Sequence, residues 1–174
     1  MKYINKKRKL INEMIRVNQA GEFGAQKIYE GQLAVLPKDK TIKKMALQEN
    51  KHLEEFNKLM IKKKVRPTAM SPIWSVGGFC LGAATALMSR EAAMACTLAV
   101  EEVIDDHYNS QEKILKKDIQ DADLLKLVKK FREEEIEHKN IAIKNNAENT
   151  KGYKFLSFGI KKITKLAIKV SKKV

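Results

Sequence analysis

The sequence predicts an all-α protein that forms a single domain over residues 1–174. Its 174 residues include only 8 Gly and 3 Pro, so residues that interrupt helices are rare. Between them, apolar residues recur every three or four positions, which is the period of an amphipathic helix rather than of a strand. With 44% hydrophobic residues, a chain of this length can bury a single core. The two cysteines exclude a small fold that is held together by disulfides.

Four long helices are predicted, over 10–36, 41–64, 92–117 and 123–148. Proline closes the first two of them. The first ends before Pro37 and the second before Pro67, because the residue that precedes a proline disfavours helical backbone. Four amphipathic helices of this length are suited to a four-helix bundle.

An additional apolar helix is predicted between the second and third of these helices. The 23 residues between Arg66 and Arg90 carry no charge. After Pro72, only residues 73–88 remain apolar, and this is shorter than the ~20 residues that a membrane-spanning helix needs. We therefore expect a helix that lies in the core or dips into one leaflet of a membrane.

The last segment, 155–174, predicts a basic amphipathic C-terminal helix. Its apolar residues share one helical stripe, with lysines on the opposite side: Leu156, Ile160, Ile163, Ala167, Val170 and Val174. Such a helix can close the bundle core or lie in a membrane interface. Both alternatives remain open from the sequence.

Basic charge is concentrated at the two ends of the chain. Of the net charge of +14, five charges come from the N-terminal segment 1–12 and eight from the tail 150–174. Neither end carries a recognised nucleic-acid-binding motif, so we expect no nucleic acid partner. An anionic membrane surface suits two basic ends.

The first residues are basic, but no apolar run with a small-residue cleavage site follows them. The sequence therefore predicts no secretory signal and a mature chain that begins near Met1. We expect a peripheral membrane protein on the cytoplasmic face of the cell membrane, in a reducing compartment.

Two of the three histidines follow a glutamate by three residues, as Glu49 with His52 and Glu135 with His138. Both glutamates lie within the apolar stripe of their helix. A buried carboxylate is costly without a cation, and no basic residue recurs at matching positions. A metal ion is the alternative source of positive charge.

Glu22 and Glu101 repeat this anomaly, each one helix earlier than a Glu-x-x-His pair. One glutamate on each of two helices and Glu-x-x-His on each of two others is typical of di-iron and di-manganese sites in ferritin-like bundles. Four carboxylates and two neutral imidazoles balance two divalent cations. Oxygen-rich ligation favours iron or manganese over structural zinc. The predicted ligands are Glu22, Glu49, His52, Glu101, Glu135 and His138.

The chain also resembles the Coq7-type demethoxyubiquinone hydroxylases, almost continuously over 15–148. The resemblance rests on RVNQAGEFGA at 16–25, IYEGQLAVL at 28–36, RPTAMSPIW at 66–74, AMACTLAVEE at 93–102, HYN at 107–109 and FREEEIEH at 131–138. These segments are far more specific than the bare ligand pattern. The six predicted ligands match the ligand positions of this family one by one. Glu102 and Glu137 lie about 100° around their helices from those positions and are left out.

The resemblance implies a ferritin-like four-helix bundle with the apolar and C-terminal helices added, working at a membrane face. It implies two iron ions that use O₂ to hydroxylate the ring of a demethoxyubiquinone or demethoxyubiquinol intermediate in ubiquinone biosynthesis. The substrate would be a polyprenylated quinol, and other ubiquinone-biosynthesis proteins are further candidate partners. His107 and Tyr108 match a pair that the family associates with electron or proton delivery.

The electron donor must be external, because the chain has no glycine-rich dinucleotide fingerprint and no room for a reductase domain. NADH, a separate reductase and the quinol itself are the candidates. Ile73, Trp74, Phe79 and Leu81 are expected to line the route of the substrate.

Two other functions remain in competition with the hydroxylase. A ferroxidase or iron-storage protein could use the same bundle, although a soluble cage subunit would not need the apolar stretch 73–88 or the basic ends. A basic scaffold that binds lipid or nucleic acid is disfavoured by four glutamates that face the core.

Overall fold

Six α-helices form the structure, a computed structural model that describes residues 2–119 and 121–173. They are α1 (Lys2–Val35), α2 (Lys40–Lys63), α3 (Ser71–Met88), α4 (Arg90–Ile114), α5 (Ala122–Lys144) and α6 (Tyr153–Ser171). A π-helical turn, Leu115–Ile119, follows α4, and a 3₁₀ turn, Ala147–Asn149, precedes α6. No strand occurs within the two described ranges. The predicted all-α fold class is confirmed.

Helices α1, α2, α4 and α5 form the ferritin-like bundle, in which α1 packs along α2 and α4 along α5. Two apolar layers fill it. One layer contains Met14, Ile15, Phe56, Leu115, Val128 and Phe131, and the other contains Ile42, Met45, Met94, Leu98 and Ala142. Along each of the four helices, the predicted ligands lie between these two layers.

Local chemistry accounts for several helix ends. Asp39 begins α2, because its carboxylate accepts hydrogen bonds from the backbone of Thr41 and Ile42 at 2.9 and 3.0 Å. Ser89 and Asp121 begin α4 and α5 in the same way. Lys64 closes α2 in the left-handed conformation, with φ of 55°.

Several predicted bounds were wrong. Helix α1 begins at Lys2 rather than near residue 10, since no glycine or proline precedes Gly21 to stop it. Helix α5 ends at Lys144 rather than 148, because Asn146 takes a left-handed φ of 62°. Helix α4 ends at Ile114 and passes into the π-helical turn before 117.

Of the two positions that the sequence left open for the apolar helix, the core is excluded, because α3 lies on the outside of α1. The two backbones touch. A Cβ on Gly82 would lie 1.9 Å from the carbonyl oxygen of Ile28, and a Cβ on Gly31 would lie 2.1 Å from that of Phe79. Within the described ranges, α3 alone has the length and composition to cross a membrane, and only 17% of it is buried.

Helix α6 packs on the outside of α4 and reaches α1. Ile160 is buried against Cys96 and Val100 of α4. Trp74 Nε1 donates a hydrogen bond to Ser171 Oγ at 3.0 Å and ties α3 to α6. The helix therefore covers the bundle with one edge and leaves other apolar side chains exposed, namely Phe155, Phe158, Ile163 and Leu166. Val174, the last residue of the predicted stripe, lies outside the described residues.

Candidate metal centre

The six predicted ligands meet in one buried site between the apolar layers. None of them is more than 3% exposed. Their ligand atoms form two groups, in which all atoms lie within 4.8 Å of one another. Glu22 and His52 belong to the first group only, Glu101 and His138 belong to the second only, and Glu49 and Glu135 belong to both. Two shared carboxylates between two groups have the composition of a dinuclear site.

The first group surrounds Nδ1 of His52. This nitrogen lies 3.1 Å from Glu135 Oε1, 3.4 Å from Glu22 Oε2 and 4.0 Å from Glu49 Oε2. The His52 ring stacks on Phe131, with ring centroids 4.0 Å apart. The phenyl ring thus holds the imidazole with its Nδ1 edge toward the carboxylates.

The second group surrounds Nδ1 of His138 in the same manner. It lies 3.0 Å from Glu49 Oε1, 3.1 Å from Glu135 Oε2 and 4.0 Å from Glu101 Oε1. The three-residue spacing of each Glu-x-x-His pair puts both side chains on one helix face. Because α2 and α5 turn these faces toward each other, Glu49 and Glu135 lie between the two imidazoles.

The site is strongly coupled electrostatically. Burial and the neighbouring Glu135 raise the pKa of Glu49 and of Glu101 well above the usual carboxyl range. Burial opposes the charge of Glu135 as well, but the imidazoles of His138 and His52, each 3.1 Å from one of its oxygens, outweigh burial and lower its pKa to about 2. Among the described residues, the imidazoles of His52 and His138 are therefore the groups that stabilise the charge of Glu135.

Both histidines show the corresponding shift. Burial alone would lower their pKa values, but the close contacts of each imidazole with Glu135 and with a second carboxylate dominate. They raise the pKa of His52 to about 12 and that of His138 to about 11.

The donor set fits two divalent cations. Several buried polar atoms lie near an oppositely charged group but make no hydrogen bond of normal geometry within the described residues: both oxygens of Glu49, Oε2 of Glu135 and Nδ1 of His138. Such atoms are rare in native interiors, and a bound ion is one way to satisfy them. Within the described ranges, the four glutamates form ion pairs with His52 and His138 alone, so no lysine or arginine takes the place of a cation.

Two tyrosines lie beside the site. The Tyr108 hydroxyl donates to Glu22 Oε1, and the Tyr29 hydroxyl donates to Glu101 Oε1 at 3.3 Å. A role for Tyr108 was predicted from the sequence, but none was predicted for Tyr29. The signal was present, because Tyr29 follows Glu22 by seven residues and Tyr108 follows Glu101 by the same number.

His107, the other predicted delivery residue, lies away from the carboxylates. Gln111 Nε2 donates to its Nε2 at 2.8 Å, and Gln111 also exchanges hydrogen bonds with Asn18 of α1. Burial, with the charge of Lys172 from α6, lowers the pKa of His107 to about 4. The imidazole is therefore neutral at pH 7 and accepts the hydrogen bond from Gln111.

Two further residues beside the site, Glu134 and Gln48, were not predicted from the sequence. Each histidine turns its Nε2 away from the carboxylate cluster, toward Glu134 Oε2 at 2.5 Å for His52 and toward Gln48 Oε1 at 3.3 Å for His138. The neighbouring Glu102 and Glu137 point elsewhere, as ion-pair partners of Lys161 and Lys44.

An apolar cavity of about 290 Å³ lies between α1, α3, α4 and α6. Its wall includes Gly21 and Ala25, which lie on either side of Glu22 in the sequence, and Val100, which precedes Glu101. The cavity therefore abuts the two helices that carry these glutamates. Of the residues expected along the substrate route, Ile73, Trp74 and Leu81 line it. Phe79 does not line the cavity, since its side chain lies on the outer side of α3, 41% exposed.

A basic cleft lies beyond one end of this cavity, between the start of α1 and the end of α6. Its cations are Arg8, Lys9, Arg16, Lys169, Lys172 and Lys173. Arg16 adjoins Val17 of the apolar cavity, and Lys172 adjoins Ser171. The two spaces are thus neighbours, one apolar and one cationic.

Residues 9–171 match the family described as ubiquinone biosynthesis protein COQ7. The chain is 52% identical to a protein of Dictyostelium discoideum named NADPH-dependent 3-demethoxyubiquinone 3-hydroxylase, mitochondrial, over 97% of this chain and 79% of the relative. It is 46% identical to a 3-demethoxyubiquinol 3-hydroxylase of Rhodospirillum rubrum, over 95% and 79% of the two chains. A human relative, also named NADPH-dependent, is 45% identical over 98% and 81%. The chain therefore belongs to the COQ7 family of ubiquinone biosynthesis proteins.

Proposed function

We propose that this chain is a ring hydroxylase that converts a 3-demethoxyubiquinol-type substrate in ubiquinone biosynthesis. The observation that carries the proposal is the buried site of four carboxylates and two imidazoles, found in a chain whose relatives are named as demethoxyubiquinone hydroxylases. A buried site of this composition, beside an apolar cavity, suits oxidation of an apolar ring more than ion storage.

The cofactor proposed is a pair of iron ions. Glu22 and His52 would hold one ion, Glu101 and His138 the other, and Glu49 and Glu135 would contact both. When bound, the irons supply the activation of O₂ that no amino-acid side chain provides. The residues of the chain bind, orient and shield: the two apolar layers exclude water, and Tyr29 and Tyr108 hold the outer glutamates in place.

The substrate proposed for the apolar cavity is a polyprenylated quinol. Its wall at Gly21 and Ala25 has almost no side-chain bulk, so a flat ring can approach the helices that carry Glu22 and Glu101. The tail would extend between α3 and α6, past Trp74. Apolar side chains favour an isoprenoid tail by removing its surface from water.

The reaction needs an external reductant. One atom of O₂ enters the ring as a hydroxyl group and the other leaves as water, which consumes two electrons and two protons in addition to the substrate. The relatives from Dictyostelium and human are named as NADPH-dependent, and NADH was one of the three candidate donors from the sequence. We place the phosphates of such a dinucleotide in the basic cleft, where arginines and lysines of α1 and α6 converge.

His107 and Tyr108 are proposed to pass protons or electrons from that side. Lys172 of the cleft acts on His107 electrostatically, and Tyr108 donates to Glu22. These two interactions support a path from the cleft to the first metal position through the pair.

Peripheral membrane binding is the remaining part of the proposal. Apolar side chains such as Val76, Leu87, Phe155 and Leu166 are exposed on α3 and α6, and α6 also carries several lysines. This combination suits an interfacial position on an anionic membrane that contains the quinol. The location at the cytoplasmic face of a cell membrane stays a prediction, as does contact with other ubiquinone-biosynthesis proteins.

The test combines metal counting with product analysis. The purified chain, reconstituted anaerobically with ferrous iron, should hold about two irons, and Glu49→Ala and Glu135→Ala should each lose them. Glu137→Ala, an exposed glutamate on the same helix, is the matched control. With demethoxyubiquinol, NADPH and O₂, the loaded chain should form a product heavier by one oxygen atom. Iron oxidation with mineral growth and no hydroxylated product would support the ferroxidase alternative instead.

A further inference from the structure

We infer that Glu134 is a positioning residue that makes the two metal positions unequal, because its carboxylate holds His52 while the amide of Gln48 holds His138. The inference rests on the two-metal centre proposed above and adds the order in which its two positions bind their cations. The position that contains His52 binds its cation more tightly and fills first.

The geometry of His52 supports this role. Its Nδ1 edge faces the carboxylate cluster, and its Nε2 lies 2.5 Å from Glu134 Oε2. When Nδ1 binds a metal, Nε2 keeps its hydrogen and donates a hydrogen bond to Glu134. Phe131 stacks on the same ring, so one residue fixes the plane of the imidazole and the other fixes its rotation within that plane.

The geometry of His138 is the same, but the chemistry of its partner differs. His138 Nε2 lies 3.3 Å from Gln48 Oε1, which is longer than the contact of His52 and involves a neutral amide. Gln48 therefore orients the ring without placing a negative charge behind it.

The sequence shows the same inequality. Glu134 precedes the Glu135/His138 pair and Gln48 precedes the Glu49/His52 pair. Each of these two residues serves the histidine of the opposite helix. The positions of these two residues thus follow the twofold repeat of the site, but their charges do not, because one is a glutamate and the other is a glutamine.

A carboxylate behind a metal-bound imidazole fixes its tautomer and increases its basicity, and loss of such a partner weakens metal binding by about 10- to 100-fold. An amide fixes the orientation of the ring but does not increase the basicity of the imidazole. Within the described part of the chain, the one ion-pair partner of Glu134 besides His52 is distant, with 3.9 Å between Glu134 Oε1 and Lys130 Nζ. Its nearer contact is the one with the imidazole.

The test is a stepwise titration of the metal-free full chain with Co²⁺, followed by visible absorption and calorimetry. The wild type should bind two equivalents in two resolved steps. Glu134→Gln should weaken the tighter step by about 10- to 100-fold and leave the weaker step in place. Gln48→Glu should tighten the weaker step. The double variant, Glu134→Gln with Gln48→Glu, should restore two unequal steps.

Glu133→Gln is the control, since Glu133 is exposed and its replacement changes the charge by the same amount one residue away. Equal effects of Glu133→Gln and Glu134→Gln, or equal weakening of both steps by Glu134→Gln, would overturn the inference and leave the metal centre standing. If Glu134→Gln does not fold, an unchanged weaker step in Gln48→Glu overturns it. A wild type that binds no cobalt overturns the metal centre itself.

Discussion

The hydroxyl of Tyr108 on α4 donates a hydrogen bond to Oε1 of Glu22 on α1. Tyr29 on α1 makes the reciprocal contact, in which its hydroxyl donates a hydrogen bond to Glu101 on α4. Burial and the nearby carboxylates raise the pKa of both tyrosines, so each keeps its proton. Helices α1 and α4, which contribute a glutamate but no histidine to the site, therefore each position the glutamate of the other. Neither helix could position its own glutamate in this way.

Tyr108→Phe should lower the free energy of unfolding by about 1–3 kcal/mol, because a buried carboxylate oxygen loses its donor. Tyr29→Phe should lower it less, since the contact of Tyr29 is longer at 3.3 Å. Urea denaturation of the metal-free chain measures both. Tyr153→Phe, at a partly exposed tyrosine of α6, is the control. Equal stability of Tyr108→Phe and wild type would contradict the assigned hydrogen bond.

His107 should make the fold sensitive to acid. Its pKa is lowered to about 4 in the folded chain, against about 6.5 when unfolded. Below pH 6.5 the unfolded chain therefore binds a proton that the folded chain does not, and stability falls as the pH drops from 6.5 toward 4. Above pH 6.5 both states are neutral and the effect vanishes.

His107→Gln should remove this part of the pH dependence. Between pH 8 and pH 5, the wild type should lose about 2 kcal/mol more than the variant. Denaturant titrations of both proteins at the two pH values give the difference, in which the contributions of the carboxylates cancel. Parallel losses in the two proteins would show that His107 is accessible to protons in the folded state.

Gly82→Ala should destabilise the chain by about 1–3 kcal/mol, through forced separation of α3 from α1. The added Cβ would lie 1.9 Å from the carbonyl oxygen of Ile28, and a backbone atom cannot move aside as a side chain can. Gly77→Ala on the same helix meets nothing within 4 Å and should stabilise by about 0.5–1 kcal/mol. Thermal and urea unfolding compare the two. A Gly82→Ala chain as stable as Gly77→Ala would contradict the packing.

Leu81→Glu should abolish turnover of a long-tailed quinol and spare a short-tailed analogue. Leu81 lines the apolar cavity, where an unpaired carboxylate disfavours an isoprenoid tail. Steady-state kinetics with both substrates measure the effect, and circular dichroism checks the fold. Equal loss with both substrates would mean that the substitution damages the bundle instead of the tail site.

Removal of exposed apolar side chains from α6 should weaken binding to anionic vesicles. Phe158 and Leu166 are 58% and 59% exposed, and Phe158→Ser with Leu166→Ser should reduce affinity at least about tenfold. Leu47→Ser with Ile61→Ser, on the exposed face of α2, is the control. Co-sedimentation at several salt concentrations should also show weaker binding as salt screens the lysines. Equal effects of the two double variants would exclude α6 from the contact.

The register of the six candidate ligands was predictable from the sequence, because a carboxylate within an apolar stripe is conspicuous at helical spacing. Glu134 and Gln48 were not, since each looks like an ordinary polar surface residue and its partner lies on another helix, 82 and 90 positions away. The position of α3 was not predictable either. An apolar, glycine-containing segment is compatible with a core or a surface, and the contact of its backbone with Ile28 exists only in three dimensions.

Where α3 meets α1, no side chain separates the two backbones, and the carbonyl oxygen of Gly24 would lie only 2.9 Å from a Cβ on Gly78. Side chains absorb small displacements by changing rotamer, but glycine has none to change. A displacement of α3 would therefore move the α1 backbone directly, at Gly24, two residues from Glu22. Contact of another surface with the exposed face of α3 is thereby coupled to the position of a carboxylate in the buried site.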